Sequence, residues 1–186
     1  MRREVRIIGG QWKRTKLPVT DAPGLRPTPD RVRETVFNWL GQNLTGWRCL
    51  DAFAGSGALG FEAASRGAAD VVLIERDRKL AAGLTAVKQR LNATQLRIEN
   101  ADALPWMARC APASFELVFI DPPFDAQLME SALAAAARLV VPTGLVYAES
   151  GEPLAAPILQ LHGLAMHRQG RAGVVHFHLL RHAEPA

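Results

Sequence analysis

From Leu50 onward the sequence alternates short apolar runs with stretches of helical spacing, and that alternation restricts the fold more than any other feature. Arg48–Phe53, Val71–Glu75, Leu96–Asn100, Leu117–Asp121 and Leu145–Glu149 read as strands buried on both faces. Between them, residues 58–66, 78–93, 103–110 and 127–139 carry helix-like patterns. Buried strands separated by helices make βαβ units, and such units build a parallel sheet. Two further strands, near Ala165–Arg168 and Gly173–Leu180, have no good helix between them. They predict a closing antiparallel hairpin, with Gly170 and Gly173 flanking its turn.

The first 45 residues follow a different pattern. Val5–Ile8, Gly9-Gly10 and Trp12–Leu17 predict a small basic hairpin. Pro18, Pro23, Gly24, Pro27 and Pro29 mark a loop. A helix then starts, with Thr28 as N-cap and Pro29 in its first turn. Val32, Val36, Trp39 and Leu40 recur at the spacing of a packed face, which leaves Arg31 and Arg33 pointing elsewhere. The expected division is an N-terminal extension over 1–45 packed on a core domain over 46–183.

A length of 186 residues suits one domain, and 48% hydrophobic with 22% charged residues is the composition of a folded protein. No run of about 20 apolar residues occurs and the N-terminus is charged, so neither a spanning helix nor an export signal is expected. Cys49 and Cys110 are too few for a disulfide framework or a zinc site, which fits reduced thiols in the cytoplasm. The net charge of +4 is unevenly spread. Residues 1–35 hold nine Lys/Arg against four acids, whereas the remainder holds 13 against 14. A localised basic segment suits a polyanion, because each neutralised phosphate releases counterions.

The first core strand runs into Asp51-Ala52-Phe53-Ala54-Gly55-Ser56-Gly57-Ala58-Leu59-Gly60. Glycines there allow a sharp turn and let a ligand approach main-chain N–H groups at a helix start. Dinucleotide, flavin and nucleotide binders share that turn, and three acids favour S-adenosylmethionine instead. Asp51 can hold the ammonium of the methionine part and would repel a pyrophosphate. Glu75, ending the second strand, can accept from both ribose hydroxyls. Asp102, with Ala103 behind it, can accept from the adenine amine. Phe53, Gly55, Ser56, Gly57 and Arg76 complete the candidate cofactor residues; Arg76 can cover the adenine face or simply begin a solvated helix.

The fourth strand ends in Asp121-Pro122-Pro123-Phe124. Two prolines stiffen the backbone and remove N–H donors, leaving outward carbonyls. An exocyclic amine of a base is a poor nucleophile, since its lone pair is delocalised into the ring. The Asp121 carboxylate and the Pro122 carbonyl can accept its two N–H bonds and orient it, with Phe124 stacking on the base. The proton leaves after transfer, to Asp121 or to water.

These motifs resemble those of the bacterial small-subunit ribosomal RNA guanine-N2 methyltransferases, the RsmD-like group. The resemblance spans nearly the whole chain. It is most specific in Arg6-Ile7-Ile8-Gly9-Gly10 with Trp12-Lys13 and in Gly24 to Glu34, which includes Arg26-Pro27-Thr28. It continues in Asp51–Gly60 with Ser65-Arg66-Gly67-Ala68, and in Phe119–Phe124. It implies a Rossmann-like class I S-adenosylmethionine methyltransferase: a mostly parallel seven-stranded sheet, a C-terminal antiparallel hairpin and a basic N-terminal extension. It further implies an N2-methylguanine product, at guanine 966 in the family's usual RNA numbering, in ribosomal RNA of an assembling or assembled small subunit. Arg6, Lys13, Arg14, Arg26, Thr28 and Arg31 are the expected RNA-binding residues, and a monomer without a metal is the expected state.

Other readings stay open at this level. The Asp-Pro-Pro-aromatic motif also serves adenine amines, although this length leaves no room for a separate DNA-recognition domain. Protein-amide enzymes typically begin the motif with Asn. An RNA-binding assembly factor without catalysis would sit oddly with intact Asp121, Gly55, Gly57 and Glu75. His162, His167, His176, His178 and His182 cluster near the C-terminus, where surface or partly buried strand histidines are favoured over a metal site. Trp12 beside Lys13 and Arg14 can stack on RNA or anchor the hairpin.

Overall fold

The structure is a computed structural model that describes residues 4–19, 28–123 and 126–183. The chain divides into two compact units, Met1–Ala103 and Leu104–Ala186.

The first unit opens with a hairpin of β1 (Glu4–Arg6) and β2 (Lys16–Pro18), in which Val5 faces Leu17. Helix α1 (Asp30–Trp39) follows, then β3 (Arg48–Asp51), α2 (Ala58–Ser65), β4 (Asp70–Ile74), α3 (Arg78–Arg90) and β5 (Leu96–Glu99). Strands β3, β4 and β5 are parallel neighbours, with Leu50 opposite Val72 and Val72 opposite Arg97. Cys49, Leu50, Val71, Val72 and Leu73 are fully buried, as expected of strands covered on both faces.

The second unit holds β6 (Phe115–Ile120), α5 (Ala126–Leu139), β7 (Val140–Ser150), α6 (Ala156–Leu161), β8 (Leu164–Ala172) and β9 (Val175–His182), while α4 (Ala103–Ala108) spans the boundary. Strand β6 runs parallel to β7; β7 pairs antiparallel with β9, and β9 with β8. The seven strands are ordered β5-β4-β3-β6-β7-β9-β8, the α/β class and closing hairpin that the sequence predicts.

Three local expectations are corrected. Helix α1 begins at Asp30 with Pro29 as its N-cap and no side-chain capping bond. Thr28 is instead buried, and its carbonyl accepts from Arg33 Nε at 3.3 Å. The packed face of α1 is Val32, Arg33, Val36 and Phe37, while Trp39 is only half-buried; Arg33, expected to point away, is fully buried. Gly170 lies within β8 opposite Phe177, where a Cβ would come within 2.3 Å of the ring, so Phe177 rather than a turn requires the glycine. Helix α6 went unread, because six residues give no usable periodicity; Pro157 in its first turn was the available signal.

Candidate active site

Parallel register places the C-terminal ends of β3, β4 and β5 along one edge, so Asp51, Glu75 and Asp102 come to the same side of the first unit. The chain leaves β3 through a turn with Gly55 at φ 52° and Gly57, the N-cap of α2, at φ 75°. A Cβ on Gly57 would meet Leu84 Cδ2 at 2.6 Å and Phe61 Cδ2 at 2.8 Å, so both conformation and space demand glycine. Gly55 N–H donates to Glu75 Oε2 at 2.9 Å, and Asp77 N–H donates to Glu75 Oε1 at 2.8 Å. The Asn100 amide donates to the carbonyls of Glu75 and Arg76 at 2.9 and 3.0 Å, tying the end of β4 to the end of β5. Asp77 caps α3, accepting from the N–H groups of Lys79 and Leu80.

Asp51 is only 2% exposed, and its Oδ2 accepts from Gly60 N–H at 2.9 Å. It anchors the first turn of α2 beneath the glycine loop, a contact that fixes the cradle. Phe53, Gly55, Ser56 and Glu75 are half-buried at the rim, Arg76 and Asp102 are exposed, and Ala103 is buried at the start of α4. This acceptor set of three carboxylates against one arginine suits ligand hydroxyls, an amine and an ammonium, which donate, and it disfavours a polyphosphate. S-adenosylmethionine is the cofactor that fits. An open polar cleft of about 410 Å³ lies at the opposite edge of the same strands, lined by Gln11, Gln42, Asn43, Ser65, Arg66 and Gln95; no cofactor candidate lines it.

In the second unit, β6 ends at Ile120. Asp121 beyond it is half-buried, Pro122 buried and Pro123 exposed, while Phe124 lies outside the described residues. The rings of Phe119 and Tyr147, directly opposite on β6 and β7, meet edge to face at 5.9 Å. Two-residue periodicity brings Asp121 to the Phe119 face and Glu149 to the Tyr147 face, so these four side chains share one side of the pair. The Tyr147 hydroxyl donates to buried Glu149 Oε1 at 2.8 Å. Burial first, then the Glu149 charge and hydrogen bond and the Asp121 charge, hold the phenol well above its ordinary pKa of 10.0. Tyr147 therefore stays a hydrogen-bond donor.

Of the RNA candidates, Arg6, Lys13 and Arg14 are exposed on the N-terminal hairpin, and Arg31 is exposed on α1. Arg26 lies outside the described residues. Thr28 is 5% exposed, which leaves its side chain little surface to offer.

Sequence reasoning missed the charged centre of this unit. Glu62, fully buried on α2, accepts from Ile8 N–H (2.9 Å) and Arg33 Nη1 (3.0 Å) at Oε2, and from Gly9 N–H (2.8 Å) and Arg66 Nε (2.9 Å) at Oε1. Arg33 also donates to the Arg6 carbonyl at 2.8 Å and pairs with Asp30 at 2.5 Å. Ser65 Oγ donates to the Gly9 carbonyl and accepts from Trp12 N–H, so the Trp12 backbone helps anchor the hairpin. The guanidinium of Arg66 lies 4.7 Å from the centroid of Phe37 and donates to Gln42. The one sequence clue was a lone acid amid the apolar residues of Ala58–Ser65. The five histidines form no metal-ligand cluster among the described residues.

Residues 5–181 match the family model described as Conserved hypothetical protein 95. The ribosomal RNA small subunit methyltransferase D of Escherichia coli (strain K12) is 43% identical over 182 residues, covering 95% of this chain and 89% of that protein. The chain belongs to this methyltransferase D family. The Haemophilus influenzae member is 38% identical over 95% of this chain and 93% of its own. Among solved structures, a protein titled putative methyltransferase yhhF from Escherichia coli matches with a TM-score of 0.83 at 42% identity, covering 97% of this chain and 99% of that one. The glycine loop, the Asp121 motif and all of the hairpin but Glu4 lie inside the span matched to the Conserved hypothetical protein 95 model. No described helix is long and apolar enough to cross a membrane.

Proposed function

We propose that this chain uses S-adenosylmethionine to methylate the exocyclic N2 amine of a guanine in 16S ribosomal RNA, at position 966 in the family's RNA numbering. The observation that carries the reading is the half-buried Asp121 just past β6, followed by a proline that offers a carbonyl and no N–H. S-adenosylmethionine supplies a methyl group on a sulfonium, a good leaving group, when it is bound. Glu75 and Asp102 accept from its ribose and adenine, and Asp51 keeps the glycine loop in place.

Asp121 and the Pro122 carbonyl accept the two N–H bonds of the amine, which turns its lone pair toward the methyl donor and fixes the rotation about its C–N bond before reaction. Asp121 then takes the proton that the methylated nitrogen releases. Phe124 stacks on the base, which must leave its RNA stack to enter; an unpaired loop gives it up at least cost. Residues 1–45, through Arg6, Lys13, Arg14, Arg26 and Arg31, hold the RNA, and residues 46–183 carry out the transfer. The enzyme works as a monomer in the cytoplasm, on an assembling or assembled small subunit.

The test uses labelled S-adenosylmethionine with small-subunit RNA or particles from cells lacking the activity, followed by digestion and mass spectrometry. A single N2-methylguanine, absent with Asp121→Ala, is the expected result. Label in adenine, in DNA or in protein would keep the chemistry and overturn the substrate. Bound S-adenosylmethionine without transfer to any of these would overturn the enzyme reading.

A further inference from the structure

All five histidines of the chain lie between residues 153 and 183, together with Arg168, Arg171 and Arg181, and no Asp or Glu occurs in that span. The fold turns this stretch into α6 and a two-stranded ribbon. β8 ends the seven-strand order, so one side of its backbone faces no further strand among the described residues. A terminal strand presents a row of backbone N–H and C=O groups along its rim. On β8 that rim is flanked by cations on both faces. Arg168 lies opposite Leu179 and Arg171 opposite His176, three residues apart and hence on opposite sides of the ribbon. His167, Arg168, Gln169 and Arg171 are all exposed, and His176 is half-buried. The register shifts between Met166 and Arg168, a bulge of the kind that re-aims side chains on edge strands.

Arg171 and His176 are direct cross-strand partners, and like charges so placed cost stability whenever the histidine is protonated. No carboxylate on either strand offsets them. Such a rim, with two exposed arginines, backbone N–H groups among its carbonyls and no acid on either strand, is matched to a run of phosphates through the arginines.

We propose that the β8–β9 ribbon is a second RNA-contacting surface, holding the phosphate backbone of the substrate along the β8 rim through Arg168 and Arg171, with His167 and His176 beside them. The proposal rests on the reading of the chain as an RNA methyltransferase. Arginines on a sheet edge also prevent edge-to-edge aggregation, and the test separates the two roles.

Full-length Arg168→Glu/Arg171→Glu keeps a charged, protected edge and reverses the sign that RNA meets; Arg168→Ala/Arg171→Ala removes the charge alone. Binding to protein-free small-subunit RNA is measured against KCl concentration, with S-adenosylhomocysteine affinity, KM and kcat alongside. The Glu pair should raise the KM for RNA about tenfold with kcat little changed, the signature of lost uniform binding. The Ala pair should lower the salt slope of RNA binding by about 1.5, the value for two lost phosphate contacts. S-adenosylhomocysteine affinity should not change. Wild-type KM and salt slope in either soluble double variant would assign the arginines to edge protection and overturn the proposal. Wild-type binding to bare RNA with slower methylation of assembled particles would assign the ribbon to an acidic protein partner, which overturns it equally. If the wild-type chain neither methylates nor binds RNA, and Lys13→Glu/Arg14→Glu changes nothing, the RNA reading itself falls.

Discussion

The hydroxyl of Tyr147 points at Glu149 Oε1 from 2.8 Å in a site closed to solvent, and Tyr147 is the only tyrosine of the chain. That coincidence makes one buried hydrogen bond spectroscopically visible. Burial, then the Glu149 charge and hydrogen bond, raises the phenol well above 10.0 while the unfolded chain ionises it near there. Above about pH 10 the unfolded state therefore binds fewer protons than the folded state, and stability falls by up to about 1.4 kcal/mol per pH unit. Absorbance at 295 nm should show no tyrosinate until the fold is lost at alkaline pH. A smooth titration near 10 in folded protein would refute the burial. Tyr147→Phe should remove this alkaline loss, while costing about 1–3 kcal/mol at neutral pH for the hydrogen bond to the Glu149 carboxylate that is lost.

Glu62→Ala should be among the most damaging single changes in the first unit. It takes the carboxylate from buried Arg66 and leaves buried Arg33 only the exposed Asp30, and breaking a buried pair in this way costs about 3–5 kcal/mol. Urea or thermal unfolding reads this directly. A cost below about 1 kcal/mol would mean that water reaches the arginines.

Asp121→Asn keeps the shape and an acceptor at the end of β6 while removing the charge. Methyl transfer should fall about 100-fold or more, with S-adenosylhomocysteine affinity and unfolding free energy near wild type. Unchanged turnover would displace Asp121 from the reaction.

Gly57→Ala forces an L side chain to φ 75° and into Leu84 and Phe61. Strain of this kind costs about 1–3 kcal/mol, and it should appear as weakened S-adenosylhomocysteine binding in calorimetry. Glu75→Ala should weaken the same binding about tenfold or more by another route, losing both the ligand acceptor and the brace on Gly55 N–H. Normal affinity in both variants would move the cofactor away from this loop.

The parts of the fold that were legible in the sequence are those where local pattern and tertiary need agree. The buried runs at β3, β4 and β6 are legible because strands covered on both faces leave few polar positions; β5, at the end of the strand order, buries only Leu96 and exposes Arg97, so the expectation of burial on both faces fails there. The glycine loop and the acids after the strands were found because backbone strain and strand-end chemistry restrict residue type. Arg33 is misplaced and Glu62 passed over because hydropathy treats a charge as solvent-facing, and only three-dimensional proximity reveals that each offsets the other. The start of β7 was lost for a different reason. Pro142 and Gly144 are residues that strand interiors disfavour, yet β7 begins at Val140, before the expected Leu145, and a register shift against β6 between Phe115 and Leu117 accompanies the irregularity.

Because two of the Glu62 hydrogen bonds come from the main chain of Ile8 and Gly9, the hairpin cannot be pared away without injury to α2, the helix that follows the glycine loop. A fragment beginning at residue 46 would keep every glycine and acid of the cradle, yet it would expose α2 along its Glu62–Ser65–Arg66 side. The segment proposed to hold RNA thus also braces the helix behind the glycine loop. Loss of those few N-terminal residues should register first as a loss of cofactor affinity, before any effect on RNA is measured.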